Sequence, residues 1–138
     1  MERFLGRYST YVYAILRIVS GFVFMLHGTQ KFFGYPPSPQ AGGGGALDAL
    51  ATVAASIELI GGFLIMIGLF ASIAAFISSG LMAVAYFMVH QPQAMWPPTN
   101  GGDAAVLYCF IFLYIASRGA GVWSVESAFK GSRQTDTL

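Results

Sequence analysis

Between Asp48 and Phe70 the chain carries one charged side chain, Glu58, near the middle of an apolar run from Ala46 to Phe70. A run of that length is what a membrane-spanning helix needs, about 20 residues for a hydrocarbon layer of about 30 Å. An ionised carboxylate in hydrocarbon costs several kcal/mol unless it finds a partner or gives up its charge. Glu58 is therefore expected to face the protein interior rather than lipid. The composition agrees with a bilayer as solvent. Hydrophobic residues make up 56% of the chain and charged residues 9%, with a mean hydropathy of +0.65, whereas a soluble domain carries about 25% charged residues.

Three further apolar segments accompany this one, and together they predict an all-α fold, a transmembrane four-helix bundle forming a single domain over residues 1–138. The spans are expected at about Tyr11 to Phe33, Leu47 to Gly68, Ala71 to His90 and Asp103 to Ser117, the last being short. Gly34 to Ala46 is rich in Pro and Gly and reads as a mobile loop. Gly68-Leu69-Phe70 leaves room only for a tight turn, so spans two and three should form an antiparallel hairpin. Gln91 to Gly102 is a proline-broken loop with Trp96 suited to the interface. Beyond span four, Ser124 is placed to cap an interfacial amphipathic segment over about Val122 to Phe129. The polar tail past Gly131 is expected to be unstructured.

Basic residues set the expected orientation. Arg3 and Arg7 precede span one, Arg118, Lys130 and Arg133 follow span four, and the two long loops contain no Lys or Arg. Both termini are expected in the cytoplasm, in a bacterial inner membrane. The first span contains Arg17, exceeds a signal-peptide core and lacks a small-residue cleavage site, so it is expected to be retained. A net charge of +1 with no basic run gives no indication of a nucleic-acid partner. A single cysteine, Cys109, excludes an internal disulfide and any CxxC pair, and no metal-ligand set is present.

Helical spacing puts Arg17, Gly21 and Gly28 on one side of span one, and groups Ala51, Ala54, Ala55, Gly61 and Gly62 around Glu58. Small residues allow close helix approach in lipid, so both charges sit on helix-contact faces. Arg17 lies roughly 9 Å inside its end of span one and Glu58 roughly 15 Å deep, at 1.5 Å per residue. A guanidinium can bridge that difference, so Arg17 and Glu58 are the expected buried ion pair. It reads either as a register-fixing pair or as a proton- or ligand-linked carboxylate.

A second polar group gathers toward the outer face. His27 and Lys31 are spaced i, i+4 on span one, as are Tyr86 and His90 on span three. Asn100 and Asp103 open span four at the same level, with Gln30 adjacent. Each has an ordinary role: Lys31 and His90 can snorkel, and Asn100 can cap the last helix with Asp103 in its first turn. Their shared depth makes His27, Lys31, Tyr86, His90, Asn100 and Asp103 the candidate ligand or quinone site. A haem between His27 and His90 would need facing imidazoles across a wide gap, which close packing by small residues opposes. A pigment or quinone against the rim fits better, since a quinone carbonyl needs only one or two donors such as His27 or Lys31.

The order and spacing of these residues resemble the DoxX family of small four-span bacterial membrane proteins. The matching pieces are Leu16-Arg17-Ile18 with Gly21, His27-Gly28 and Lys31 with Gly34, and Glu58 with Gly61-Gly62 and Gly68-Leu69. Asn100-Gly101-Gly102-Asp103 and Gly119-x-Gly121-x-Trp123-Ser124 complete the set, covering Tyr13 to Ser127. Asp103 departs from the pattern, where relatives often have Glu. The family takes its name from a subunit associated with thiosulfate:quinone oxidoreductase, and related members are linked to redox and oxidative-stress functions. The resemblance thus implies a membrane subunit of a respiratory or other electron-transfer complex with a quinone-contacting outer rim. A non-catalytic accessory subunit packing against lipids, pigments, other membrane subunits or further copies of itself is the first alternative. A small proton-linked transporter using Glu58 is the second. With no nucleophile–base pair or nucleotide loop, the chain is not expected to act as an enzyme alone.

Overall fold

In the computed structural model, which describes residues 4–37 and 46–135, the chain is all-helical, with no strand among the described residues. After a single 3-10 turn at Gly6–Tyr8 come α1 (Ser9–Phe33), α2 (Ala49–Ile67), α3 (Ala71–His90), α4 (Asp103–Arg118) and α5 (Val125–Thr135), with one helical turn at Pro97–Asn100 between α3 and α4. Most of the predicted Gly34–Ala46 loop lies outside the described residues. Among the described residues, three helices are long and apolar enough to cross a membrane: Gly6–Phe33, Ala49–Ile67 and Ala71–His90. The fourth apolar segment is also helical, but its 16 residues rise only about 24 Å at 1.5 Å each.

Local signals fix the helix ends. Asp48 caps α2, its Oδ1 accepting the Ala51 N–H at 2.7 Å. At the other end Gly68 takes the left-handed conformation (φ 69°), the Gly68 N–H reaches the Ile65 carbonyl and the Leu69 N–H reaches that of Leu64. This paired closure needs a residue without a Cβ at Gly68, and α3 starts two residues past Leu69. The expected tight hairpin is formed. Ser124 caps α5 through a reciprocal exchange with Ser127. That helix continues past Gly131 to Thr135, so the tail expected to be unstructured is helical until then.

The helices pack through small residues. Gly21 lies against Gly62 and Met66, and Gly28 against Ala55 and Leu59, so close that a Cβ on Gly28 would stand 2.5 Å from the Leu59 nitrogen. Such backbone contact is how helices associate where no hydrophobic force drives them together. The small-residue face of α2 is divided: Gly62 meets α1, whereas Gly61 meets Ser78 of α3. The core lies between α3 and α4, where Ala74, Ala75 and Met82 face Ala105, Phe112 and Ile115. Ser79 ties the pair by donating to the Cys109 carbonyl at 2.7 Å, and Cys109 itself is half-buried. From α1, Phe24 stacks edge-on against Phe112 at 4.7 Å between centroids. Tyr11 of α1 packs on Trp123, just past α4, so the start of α1 and the end of α4 share one end of the bundle.

Candidate functional site

Glu58 does not pair with Arg17. Its Oε1 lies 2.7 Å from the Lys31 ammonium. The correction comes from register. The glycine contacts set Gly28 level with Leu59, which is roughly 16 Å along the α1 axis from Arg17, beyond the reach of any side chain. Lys31, one turn past Gly28, is the cation at the height of Glu58. Sequence depth misjudged this because counting inward from helix ends cannot see how two antiparallel helices slide against each other.

Two π turns flank this pair. Glu58 sits in one at Ile57–Gly61, and the last residues of α3, Tyr86–His90, form the other. Each π turn inserts a residue into the helical repeat and redirects the side chains it carries, a feature often found at functional sites. Together they aim Glu58 and His90 toward one cavity of about 240 Å³, which His27 and Lys31 also line. Its remaining walls are apolar, with Phe24, Met82, Ala105 and Tyr108 among them. The His27 ring stands edge-on to that of Tyr108 at 6.3 Å. Glu58 is 5% exposed, and its Oε2 is buried with no hydrogen-bond partner among the described residues.

The other predicted rim residues do different work. Asn100 is buried. Its amide donates to the Ala94 carbonyl at 2.9 Å, and its Oδ1 accepts the Gly102 N–H at 2.8 Å, so it braces the loop that leads into α4. Tyr86 packs against Gly102 and stands 3.4 Å from the Asn100 amide. His90 joins both groups, with Nδ1 3.1 Å from the Asn100 carbonyl. Asp103 opens α4 as expected but is exposed and does not line the cavity. Gln30 turns away and donates to the Pro36 carbonyl. Met82, Tyr108 and buried Ser78 behind Gly61 escaped the sequence reading. The i, i+4 spacing of Ser78, Met82 and Tyr86 on one face of α3 could have pointed to the first and third of these, while Tyr108 on α4 had no such signal.

Arg17 is fully buried and builds a separate structure at the other end. Its Nη1 donates to the Ile65 and Met66 carbonyls at 2.8 and 2.7 Å, and Nη2 to those of Val122 and Trp123 at 3.2 and 2.7 Å. The first two are carbonyls of the last turn of α2, where a helix lacks internal donors and carries partial negative charge. A planar guanidinium suits this task because its donors fan toward several acceptors at once. Glu126 completes the clamp, its Oε1 accepting the Ala71 N–H at the start of α3.

The fold and this site define a multi-pass α-helical membrane protein with an ion-paired polar cavity near one end of its bundle. The DoxX family model matches residues 12–91, and the chain belongs to the DoxX family. It is 42% identical over 128 residues to an uncharacterized protein of Haemophilus influenzae, covering 91% of this chain and 96% of that one. A Bacillus subtilis protein with an oxidoreductase name, CatD, is 43% identical over 56 residues, 40% of this chain and 42% of its own. No solved structure is a significant match.

Proposed function

We propose that the protein is a small subunit of a respiratory or other electron-transfer complex and that its cavity receives the head of a quinone-class carrier. In this reading the chain spans a bacterial inner membrane four times as a single domain, with both termini cytoplasmic. The observation that carries the reading is the composition of the cavity: Lys31, Glu58, His27 and His90 inside walls of carbon. A redox-active ring needs an apolar enclosure with a few polar groups to orient it. Lys31 keeps two ammonium protons free of its bond to Glu58, and His27 and His90 add imidazole nitrogens. The oxidoreductase name of the B. subtilis relative supports a redox setting, and the basic residues beside the first and last apolar segments support the orientation.

The test is the quinone content of the native assembly after mild extraction. Lys31→Met and His27→Ala are expected to lower retained quinone at least fivefold while subunit composition stays constant. An accessory role is the competing reading, favoured by an almost entirely apolar groove of about 600 Å³ between α1 and α4, lined by Val12, Val19, Leu107 and Ile111 among others. Unchanged quinone content in both variants would select it.

A further inference from the structure

We infer that the ligand reaches the cavity sideways from the lipid, along the groove between α2 and α3, and offers a hydroxyl to Glu58 Oε2. This rests on the quinone reading above and specifies its entry route and redox form. The groove has a volume of about 430 Å³ and is walled mostly by apolar side chains such as Leu50, Ala54, Val84 and Met88, with Asp48 also in its lining. It shares Lys31, Glu58, Met82, Ala85 and Val89 with the smaller cavity. The ion pair therefore stands where a mostly apolar groove meets a smaller cavity with titratable walls. An amphiphile with an apolar tail and a compact ring head matches both halves, tail in the groove and head at the pair. The larger α1–α4 groove has no charged lining and does not reach Glu58, meeting the cavity only at Ala104 and Tyr108.

The polarity of the head follows from Glu58. Its Oε1 is occupied by Lys31, while Oε2 is buried and unpartnered among the described residues. A buried acceptor left without a donor is costly, so a ligand that supplies an O–H gains what the protein alone forgoes. A carbonyl oxygen at the same place sets lone pair against lone pair. The site is thus selective for the hydroxyl-bearing, quinol form over the quinone.

The experiment uses the full chain in lipid nanodiscs with a decyl-tailed benzoquinol and the matching quinone as probes. The quinol is expected to bind at least tenfold more tightly. Glu58→Gln, which turns an amide donor toward the ligand, should erase or invert that preference. Ala54→Phe, filling the α2–α3 groove, should weaken both forms, whereas Val19→Trp in the other groove should weaken neither. Ala54→Phe and Val19→Trp keep the test decisive should Glu58→Gln fail to fold. Equal affinity for the two forms, or a preference for the quinone, overturns the inference and leaves the quinone reading standing. Binding of neither form overturns both.

Discussion

Gly28 is the residue on which the geometry of the site depends, and replacing it with alanine has a consequence that can be worked through. The added Cβ would stand 2.5 Å from the Leu59 nitrogen, 2.8 Å from the Ala55 carbonyl oxygen and 2.9 Å from the Leu59 Cα. Ordinary contact begins at 3.4 Å, so α1 and α2 must separate locally by about 0.9 Å. The atoms in the way are helix backbone and cannot rotate aside. Overpacking of this kind costs about 1–3 kcal/mol, and opening a packed seam by 0.5–1 Å forfeits roughly a quarter to a half of each contact along it. Leu59 follows Glu58 directly and Ala55 lies about one turn before it, so the same displacement moves the carboxylate away from Lys31. Gly80 is the matched control: a Cβ there meets nothing within 4 Å, and alanine should be neutral or stabilising by up to about 1 kcal/mol through helix propensity. Reversible unfolding in mixed micelles measures both. Gly28→Ala is expected to lose about 1–3 kcal/mol and Gly80→Ala none. Equal stabilities for the two variants would refute the close approach and with it the register that pairs Lys31 with Glu58.

Lys31→Met leaves a buried carboxylate unpaired and should destabilise by about 1–3 kcal/mol, less than a fully buried pair because the Lys31 side chain is 38% exposed. Adding Glu58→Met should restore most of the loss, and a double-mutant cycle that shows no coupling would contradict the pairing. Arg17→Lys keeps the charge but cannot serve four carbonyls, so a loss of about 2–3 kcal/mol is expected, at about 1.5–3 kcal/mol per charged hydrogen bond and with partial compensation. Protection of the Ala71 and Glu126 amides against hydrogen exchange should fall in the same variant, since the clamp holds that end together. Gly68→Ala forces a left-handed conformation on an L-residue, costing about 1–2 kcal/mol, and drives a Cβ into Ser124. Its loss should therefore exceed that of Gly28→Ala in the same unfolding assay.

The helical architecture was legible because the signals that specify it are local. Apolar runs, Gly68 after α2 and Ser124 before α5 each act within one turn of the chain. The burial of Arg17 and Glu58 was legible too, since both share a helix face with glycines and alanines. The site was only partly so. His27, Lys31 and His90 were found from spacing and depth, but the same reasoning drew in Asn100 and Tyr86, which brace a loop, and Asp103, which is exposed. Depth alone cannot separate side chains that point into a cavity from neighbours at the same height that point elsewhere. The two π turns that rotate Glu58 and His90 into place have no sequence signal as simple as a proline or a glycine.

Sequence by itself determined the solvent, the helices and which faces must be hidden, because hydropathy and 3.6-residue periodicity are properties of single segments. Which charge meets which was decided only in the tertiary structure. Glu58 had two candidate cations on α1, Arg17 and Lys31, and the choice turned on an axial slide between two antiparallel helices. That slide is fixed by Gly21 and Gly28 seating against the backbone of α2, a contact between surfaces that neither segment encodes alone. The same seating delivers Arg17 to the carbonyls at the end of α2, so that one register supplies a structural clamp at one end and an open carboxylate oxygen at the other.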